Sequence, residues 1–493
     1  MKSRRLTCIQ AILMLSTLSV PVGLPAQGKR DHNKHHHYQV IDMGTFGGPT
    51  SLNFGINPAL NDEGTVIGVA DTSTPDPFYP NFNPLMTPSA DPYTFRAFQS
   101  ENGQLVALDP LPGGYSASPS SISKNGLIAG QAINGALDPI TGWPEENAVF
   151  WYRGRITDLG TLGGYESASS GFNSLGQVAG FSSNAIPDPY AFFGLGTQVR
   201  AFLWDERNGM QDIGTLGGPD AVSVFINDRG QIAGASYTNS VPTIDPFLWE
   251  NGTMTDLGSL GGTFGFEGDG VGLNSHGQVV GSSNLAGDNY SHPFLWTKPG
   301  PIQDLGTLGG NFGMANAIND AGEVVGWATN AGDQALFAFL WRNGVMTNLG
   351  VLPGKLCSYA HQINAEGQVT GSSDDDCNDG NSHAFLWENA GPMVDLNDLV
   401  SGADMTLGGA TGINDRGEIT GIGVLANGDA HVFLLIPCDE NHRNTEGCDY
   451  SLVNVSPAPS APAATQKVPG ITALVAPWRR NLRSHFPALA PRN

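Results

Sequence analysis

Short apolar runs, each closed by a turn rich in Gly or Asn, recur from about Tyr38 to Ile436. The stretch around Asn319 shows the pattern. A run ending in Ile318-Asn319 leads into the tight turn Asn319-Asp320-Ala321-Gly322, then into Glu323-Val324-Val325-Gly326. A variable loop follows, then Phe337-Ala338-Phe339-Leu340-Trp341, the dipeptide Asn343-Gly344, and Val345-Met346-Thr347-Asn348-Leu349. β-Branched and aromatic runs bounded by such turns read as strands, because Asn and Gly tolerate the positive φ that tight hairpins require. Two hairpins with no room for a helix predict one four-stranded antiparallel sheet.

The unit repeats. The segment DLGTLGGYESASSGFNSLGQVAGFSS from Asp158 returns as DIGTLGGPDAVSVFINDRGQIAGASY from Asp212. The Gly closing the N-x-x-G turn recurs at Gly64, Gly126, Gly176, Gly230, Gly277, Gly322, Gly367 and Gly417, which defines units one to eight. The steps run from 45 to 62 residues and average about 50. Four strands per repeat of this length is the signature of a propeller blade. Unit eight stops after its third strand, His431-Val432-Phe433-Leu434-Leu435, while Tyr38 to Gly44 reads as an orphan fourth strand. The expected fold is therefore all-β: a closed propeller of eight four-stranded antiparallel blades over residues 38–436, with the N-terminal strand completing the last blade. Joining the ends covers sheet edges that otherwise invite pairing. An open β-solenoid of the same repeats is the alternative.

Composition sharpens this picture. Of 493 residues 66 are Gly and 33 Pro, and only 14% are charged, which disfavours helix. The basic residues Lys2, Arg4 and Arg5 precede an apolar run from about Ile9 to Val22 and small residues near Ala26, so residues 1–28 read as an export signal. The run is short for a membrane span, and no later stretch reaches that length. Residues 29–37 read as a His-rich linker, 437–450 as a disulfide-closed loop, and 451–493 as an Ala/Pro-rich, acid-free basic tail expected to be disordered. All 46 acidic residues lie between these ends, with 15 of the 23 basic ones. A body this acidic repels nucleic acid, whose binding needs Lys and Arg to neutralise phosphates. Beyond Cys8, in the signal, four cysteines remain. An even number in an exported chain points to disulfides, and proximity favours Cys357–Cys377 and Cys438–Cys448. A zinc site of four thiolates would lack the usual close C-x-x-C pair.

The recurring DLGTLGG, IN-x-x-G-x-V-x-G and AFLW motifs resemble the extracellular HAF repeat, named for a tripeptide present here as His383-Ala384-Phe385. The resemblance spans roughly residues 38–436 and implies a bacterial or archaeal exported repeat protein with no activity common to the family. The motif His occurs at His292, His383 and His431 but gives way to Arg96, Asn147, Arg200, Asp245 and Phe337 in other units, which argues against shared chemistry.

Up-and-down connectivity puts the fourth-to-first and second-to-third loops on one face, where a Cys357–Cys377 bridge also falls. The largest insertions lie there. Unit one carries Phe78, Tyr79, Phe82 and Tyr93; unit two carries Trp143, Glu145 and Glu146; unit three carries Tyr190, Phe192 and Phe193. Asp-Pro recurs in these loops, at Asp76, Asp91, Asp138, Asp188 and Asp245. Variable loops on a rigid scaffold are a common place for binding residues, and aromatics there suit sugar rings or peptide side chains. The alternative is that they fold back over the sheet ends. The AFLW tryptophans read as core. Asp374, Asp376, Asn378 and Asp379 offer oxygens at the alternation a calcium loop uses, without its bidentate Glu; no other cofactor is indicated. No G-x-S-x-G, H-E-x-x-H or phosphate loop is present. The expected function is a secreted, non-catalytic binding or scaffold protein facing a carbohydrate or an extracellular protein. A secreted hydrolase or lyase at the central channel, or a structural cell-surface element, is the alternative.

Overall fold

The computed structural model describes residues 34–454 except 54–58, 81–91, 102, 240–242, 266–270, 378–380, 389, 403 and 444. The signal, the first part of the linker, the tail beyond Asn454, and the site candidates Phe82, Asn378 and Asp379 lie outside the described residues. The described chain is all-β and propeller-like, built of four-stranded antiparallel meanders, and its helical content is limited to three short 3-10 turns. Six four-stranded sheets are separate; two more meanders join through one parallel pair, Ser291 with Phe312, into an eight-stranded sheet. In unit six the strands are Gly309–Ile318, Val324–Asn330, Leu336–Arg342 and Val345–Asn348.

The repeated motifs have one packing reason. The Gly of V-x-G on the second strand lies opposite the Phe of AFLW on the third, as in Gly180 with Phe202, Gly234 with Phe247 and Gly371 with Phe385. A Cβ at Gly234 would lie 2.8 Å from the Phe247 ring and closer still to the Val222 carbonyl oxygen. The ring occupies the space a side chain would fill. Seven such phenylalanines, Phe98, Phe202, Phe247, Phe294, Phe339, Phe385 and Phe433, are fully buried. The tryptophans are less so: Trp296, Trp341 and Trp387 are buried, Trp204 and Trp249 half-buried.

A second device joins unit to unit. The turn asparagine accepts backbone N–H groups of its own turn and donates to the next turn's carbonyl. Asn319 Oδ1 takes Ala321 N–H and Glu323 N–H at 3.1 and 3.0 Å, while its Nδ2 donates to Asn364 O at 3.1 Å. The same reach links Asn173 to Asn227, Asn227 to Asn274, Asn274 to Asn319, Asn364 to Asn414, and Asn61 to Ser123. Asn414 donates to Asn61 O at 2.9 Å, so the eighth turn meets the first. First strands carry a recurrent one-residue bulge, and the extra residue reaches the neighbouring first strand: Ser170 donates to Ser223 O at 2.5 Å and Asn316 to Ala360 O at 2.7 Å. Asn414→Ala loses one inter-unit bond, two turn bonds and the bond to the Glu418 carboxylate, and is expected to cost about 1–2 kcal/mol in urea unfolding.

The N-terminal strand of the repeats pairs with the third strand of unit eight. Tyr38–Asp42 pairs antiparallel with Ala430–Pro437, from Tyr38 opposite Pro437 to Asp42 opposite Phe433. Met43, Leu60, Val66, Ala70, Phe98, Val432 and Leu434 form one buried cluster spanning units one and eight. Both expected disulfides are present, with Cα–Cα distances of 5.1 Å for Cys357–Cys377 and 5.4 Å for Cys438–Cys448. Two expectations need correction. Lys34–His36, read as the end of a linker, is a strand paired with Leu452–Asn454, read as the start of the tail. His35 explains the order: it is buried and holds Glu388 at 2.9 Å through Nδ1.

Candidate ligand-binding face

The second-to-third loops of units one to three are built alike. Each opens on Asp-Pro, and the Asp carboxylate accepts the N–H two residues on: Phe78 on Asp76 at 2.8 Å, Ile140 on Asp138 at 2.7 Å, Tyr190 on Asp188 at 2.8 Å. The Asp N–H closes the loop on Pro92, Trp143 and Gly196 carbonyls at 2.8 to 2.9 Å. The carboxylate mimics a backbone turn, and the Pro fixes φ behind it. The unit-two and unit-three loops lie against each other: a Cβ at Gly196 of unit three would lie 2.7 Å from the Ile140 side chain of unit two.

The tips sort the sequence candidates into two groups. Tyr190 is 81% exposed and Tyr79 48%. Ile140 and Ile186, which are not among the sequence candidates, are also exposed. Phe78 is half-buried, its ring stacked on Tyr115 at 6.0 Å; Tyr93 and Glu145 are half-buried too. Phe192 is buried, and Phe193 and Trp143 are half-buried and packed inward, the folded-back arrangement that is the alternative to ligand contact, for a definite reason. Asp220, on the first strand of unit four, accepts Phe192 N–H at 3.0 Å and Val199 N–H at 2.8 Å. That pins the unit-three loop against unit four, so Phe192 is fully buried against Tyr237 at 4.7 Å and Phe193 stacks on Phe181 at 4.9 Å. Trp143 packs against the same cluster.

Glu146 also lies inside: it is fully buried, neither carboxyl oxygen has a hydrogen-bond partner, and its N–H donates to Glu166 Oε2 at 3.0 Å. Burial pushes its carboxyl well above the usual range. Burial also raises Asp220 to about 7 and Asp245 to about 6, the latter helped by the charge of Asp256. These acids fasten or sit between sheets rather than face solvent.

The remaining polar candidates are engaged locally. Buried Asp374 takes the Ser382 hydroxyl, Lys355 holds Asp375 at 2.9 Å, and Asp376 is exposed. Among the described residues no group of three His, Cys, Asp or Glu is placed to hold a metal ion. The motif histidines clasp the Asp that ends the fourth strand: His292 to Asp304 at 3.0 Å, His383 to Asp395 at 2.6 Å, His431 to Asp42 at 2.9 Å. Arg96 and Arg200 make the same link to Asp109 and Asp212. Where it is His, Arg or Asn147, which donates to Asp158 at 2.9 Å, the variable position is thus a polar strap from the third strand to the chain that follows it; Asp245 and Phe337 break the pattern. Among the described residues no helix is long and apolar enough to cross a membrane.

Residues 253–441 match a family described as a protein of unknown function (DUF3466). No curated protein matches the chain. Several solved structures are similar to it. Dipeptidyl peptidase 4 of Porphyromonas gingivalis is 11% identical over 68% of this chain and 49% of its own, with a TM-score of 0.41, so the chain spans about half the length of that peptidase. A protein of unknown function from Dyadobacter fermentans is 9% identical over 82% and 98%, at 0.31. A gluconolactonase from Xanthomonas campestris is 12% identical over 50% and 84%, at 0.25. Likenesses at these scores carry no argument about this chain's activity.

Proposed function

We propose that this is an exported, non-catalytic binding protein of the HAF-repeat kind. Its eight units close into a propeller ring that presents the Asp-Pro loops of units one to three to a carbohydrate or polypeptide ligand. The observation that carries the reading is the contrast between the two ends of the sheets. One end holds short N-x-x-G and N-G turns. The other holds three homologous, internally braced loops that expose Tyr79, Ile140, Ile186 and Tyr190. Braced backbone with exposed rings is what a binding surface needs, since little ordering entropy is lost on contact. Closure is supported by contacts between units eight and one: Asn414 to Asn61, Thr411 to Asn53 at 2.9 Å, and Val432 N–H to Ser51 at 2.9 Å. Export is supported by the two disulfides together with the leader-like residues 1–28.

A thermal-shift screen of glycans and peptides against the mature chain tests this. A saturable ligand is expected, with affinity falling about tenfold in Tyr190→Ala, the loss of one aromatic contact of about 1.4 kcal/mol. Turnover of a defined substrate that survives Tyr190→Ala would overturn the reading.

A further inference from the structure

We infer that the loop face is occupied by this chain's own basic C-terminal segment, residues 455–493, which rests on the reading of that face as the binding surface. The face is acidic in an unbalanced way. The Asp of the D-x-G motif recurs around it at Asp42, Asp158, Asp212, Asp256 and Asp304, and the loops add Asp188, Asp288 and Asp333. Among the described residues three cations lie at this end, and each is committed: Arg96 to Asp109 at 3.1 Å, Arg200 to Asp212 at 2.8 Å, Lys355 to Asp375 at 2.9 Å. The other described cations of the repeats, among them Lys124, Arg153, Arg207, Arg229, Arg342 and Arg416, sit at the turn end. Between the acids stand exposed apolar side chains: Tyr79, Ile140, Ile186, Tyr190, Tyr290 and Leu356. The surface therefore asks for an occupant with free cations and apolar residues together. An anionic polysaccharide is repelled by it, and a neutral sugar leaves the unbalanced charge unmet.

The segment has that chemistry. It contains Lys467, Arg479, Arg480, Arg483 and Arg492 and no acid. Its larger apolar residues Ile471, Leu474, Trp478, Leu482, Phe486 and Leu489 recur every three or four positions, interleaved with the arginines. The length suffices. Asn454 pairs with Lys34 beside the N-terminal strand of unit eight, and 39 residues extend up to about 130 Å. Charge also directs it: the turn-end cations are paired with carboxylates, as in Arg342–Glu323 and Arg416–Glu418, whereas the loop end sets its many acids against three cations and attracts the segment more strongly.

Lys467 is the single lysine of the segment, so carbodiimide coupling of the full chain reads its position. Mass spectrometry is expected to find Lys467 joined within one chain to loop-face carboxylates such as Asp158, Asp188, Asp212 or Asp256. The yield should fall about fivefold at high salt and in Arg479→Glu/Arg480→Glu/Arg483→Glu. Links confined to turn-end acids (Asp62, Asp228, Asp320 or Asp415), links between chains, or no links would overturn the inference. If they do while Tyr190→Ala still weakens an external ligand, the binding face stands and the occupant alone is wrong. If neither is seen, both fall.

Discussion

Phe433→Ala is expected to destabilise the protein by about 3–5 kcal/mol, read as a lower midpoint in guanidinium unfolding at unchanged slope. Phe433 is fully buried on the third strand of unit eight, opposite Gly421 on one side and Asp42 on the other. Its ring fills the space above Gly421, where a Cβ would lie 2.6 Å from it. Truncation leaves a cavity that its neighbour cannot refill. Gly421→Ala does not rescue it, because the new Cβ also collides with the Gly409 carbonyl oxygen. Trp204→Ala, at the half-buried Trp position of the same motif in unit three, should cost clearly less. Equal losses at the two sites would contradict the assignment of the Phe, rather than the Trp, as the motif's packing residue.

Glu146→Leu is expected to stabilise the protein by about 2–3 kcal/mol at pH 8, because it removes a buried carboxyl whose oxygens have no hydrogen-bond partner. Three of the seven equivalent third-strand positions hold Val199, Ile244 and Leu336, so the position accommodates a branched aliphatic side chain in this fold. The pH dependence gives the sign. The unfolded Glu titrates near about 4.3, and the folded one is raised by burial. Between those values the native state holds the extra proton, so stability falls as pH rises through the window and is flat above it. Asp220, raised to about 7, and Asp245, raised to about 6, act in the same direction. Asp42 and Glu388 act oppositely. Burial resists it, but hydrogen bonds from His431 and His35 hold them below the usual range, and that stability is lost as pH falls through their lowered values. The advantage of Glu146→Leu should therefore be small near pH 4 and grow toward neutrality. A variant no more stable than its parent at pH 8 refutes the unpartnered-carboxyl account.

What the chain announced was whatever a period makes visible. The N-x-x-G and N-G turns, the four strands of each unit, the orphan strand at Tyr38 and both cysteine pairs follow from local patterns repeated in register. The first-strand bulges did not, because the extra residue is Ser170 in one unit, Asn316 in another and His361 in a third; its type serves the neighbouring strand, about 50 residues away. The long reach of the turn asparagines was hidden for the same reason: a hairpin signal and an inter-unit bond use the same residue. On the loop face the Asp-Pro dipeptides were legible but their role was not. Phe192 and Tyr190 stand two positions apart in one aromatic-rich loop, and only Asp220, on the next unit, decides which is anchored and which is exposed. Glu146 read as a surface acid because a single buried carboxyl breaks the hydrophobic pattern without leaving a signal.

The central claim is that the ends of the chain meet, with residues 38–42 as the fourth strand of the eighth sheet. Hydrogen exchange of the full chain, followed by mass spectrometry over a peptide covering Tyr38 to Met43, tests it most directly. The account predicts protection matching that of Ala430–Pro437, lost together with it in Phe433→Ala. Exchange of Tyr38–Asp42 at the rate of an unstructured peptide, with Ala430–Pro437 still protected, would contradict closure.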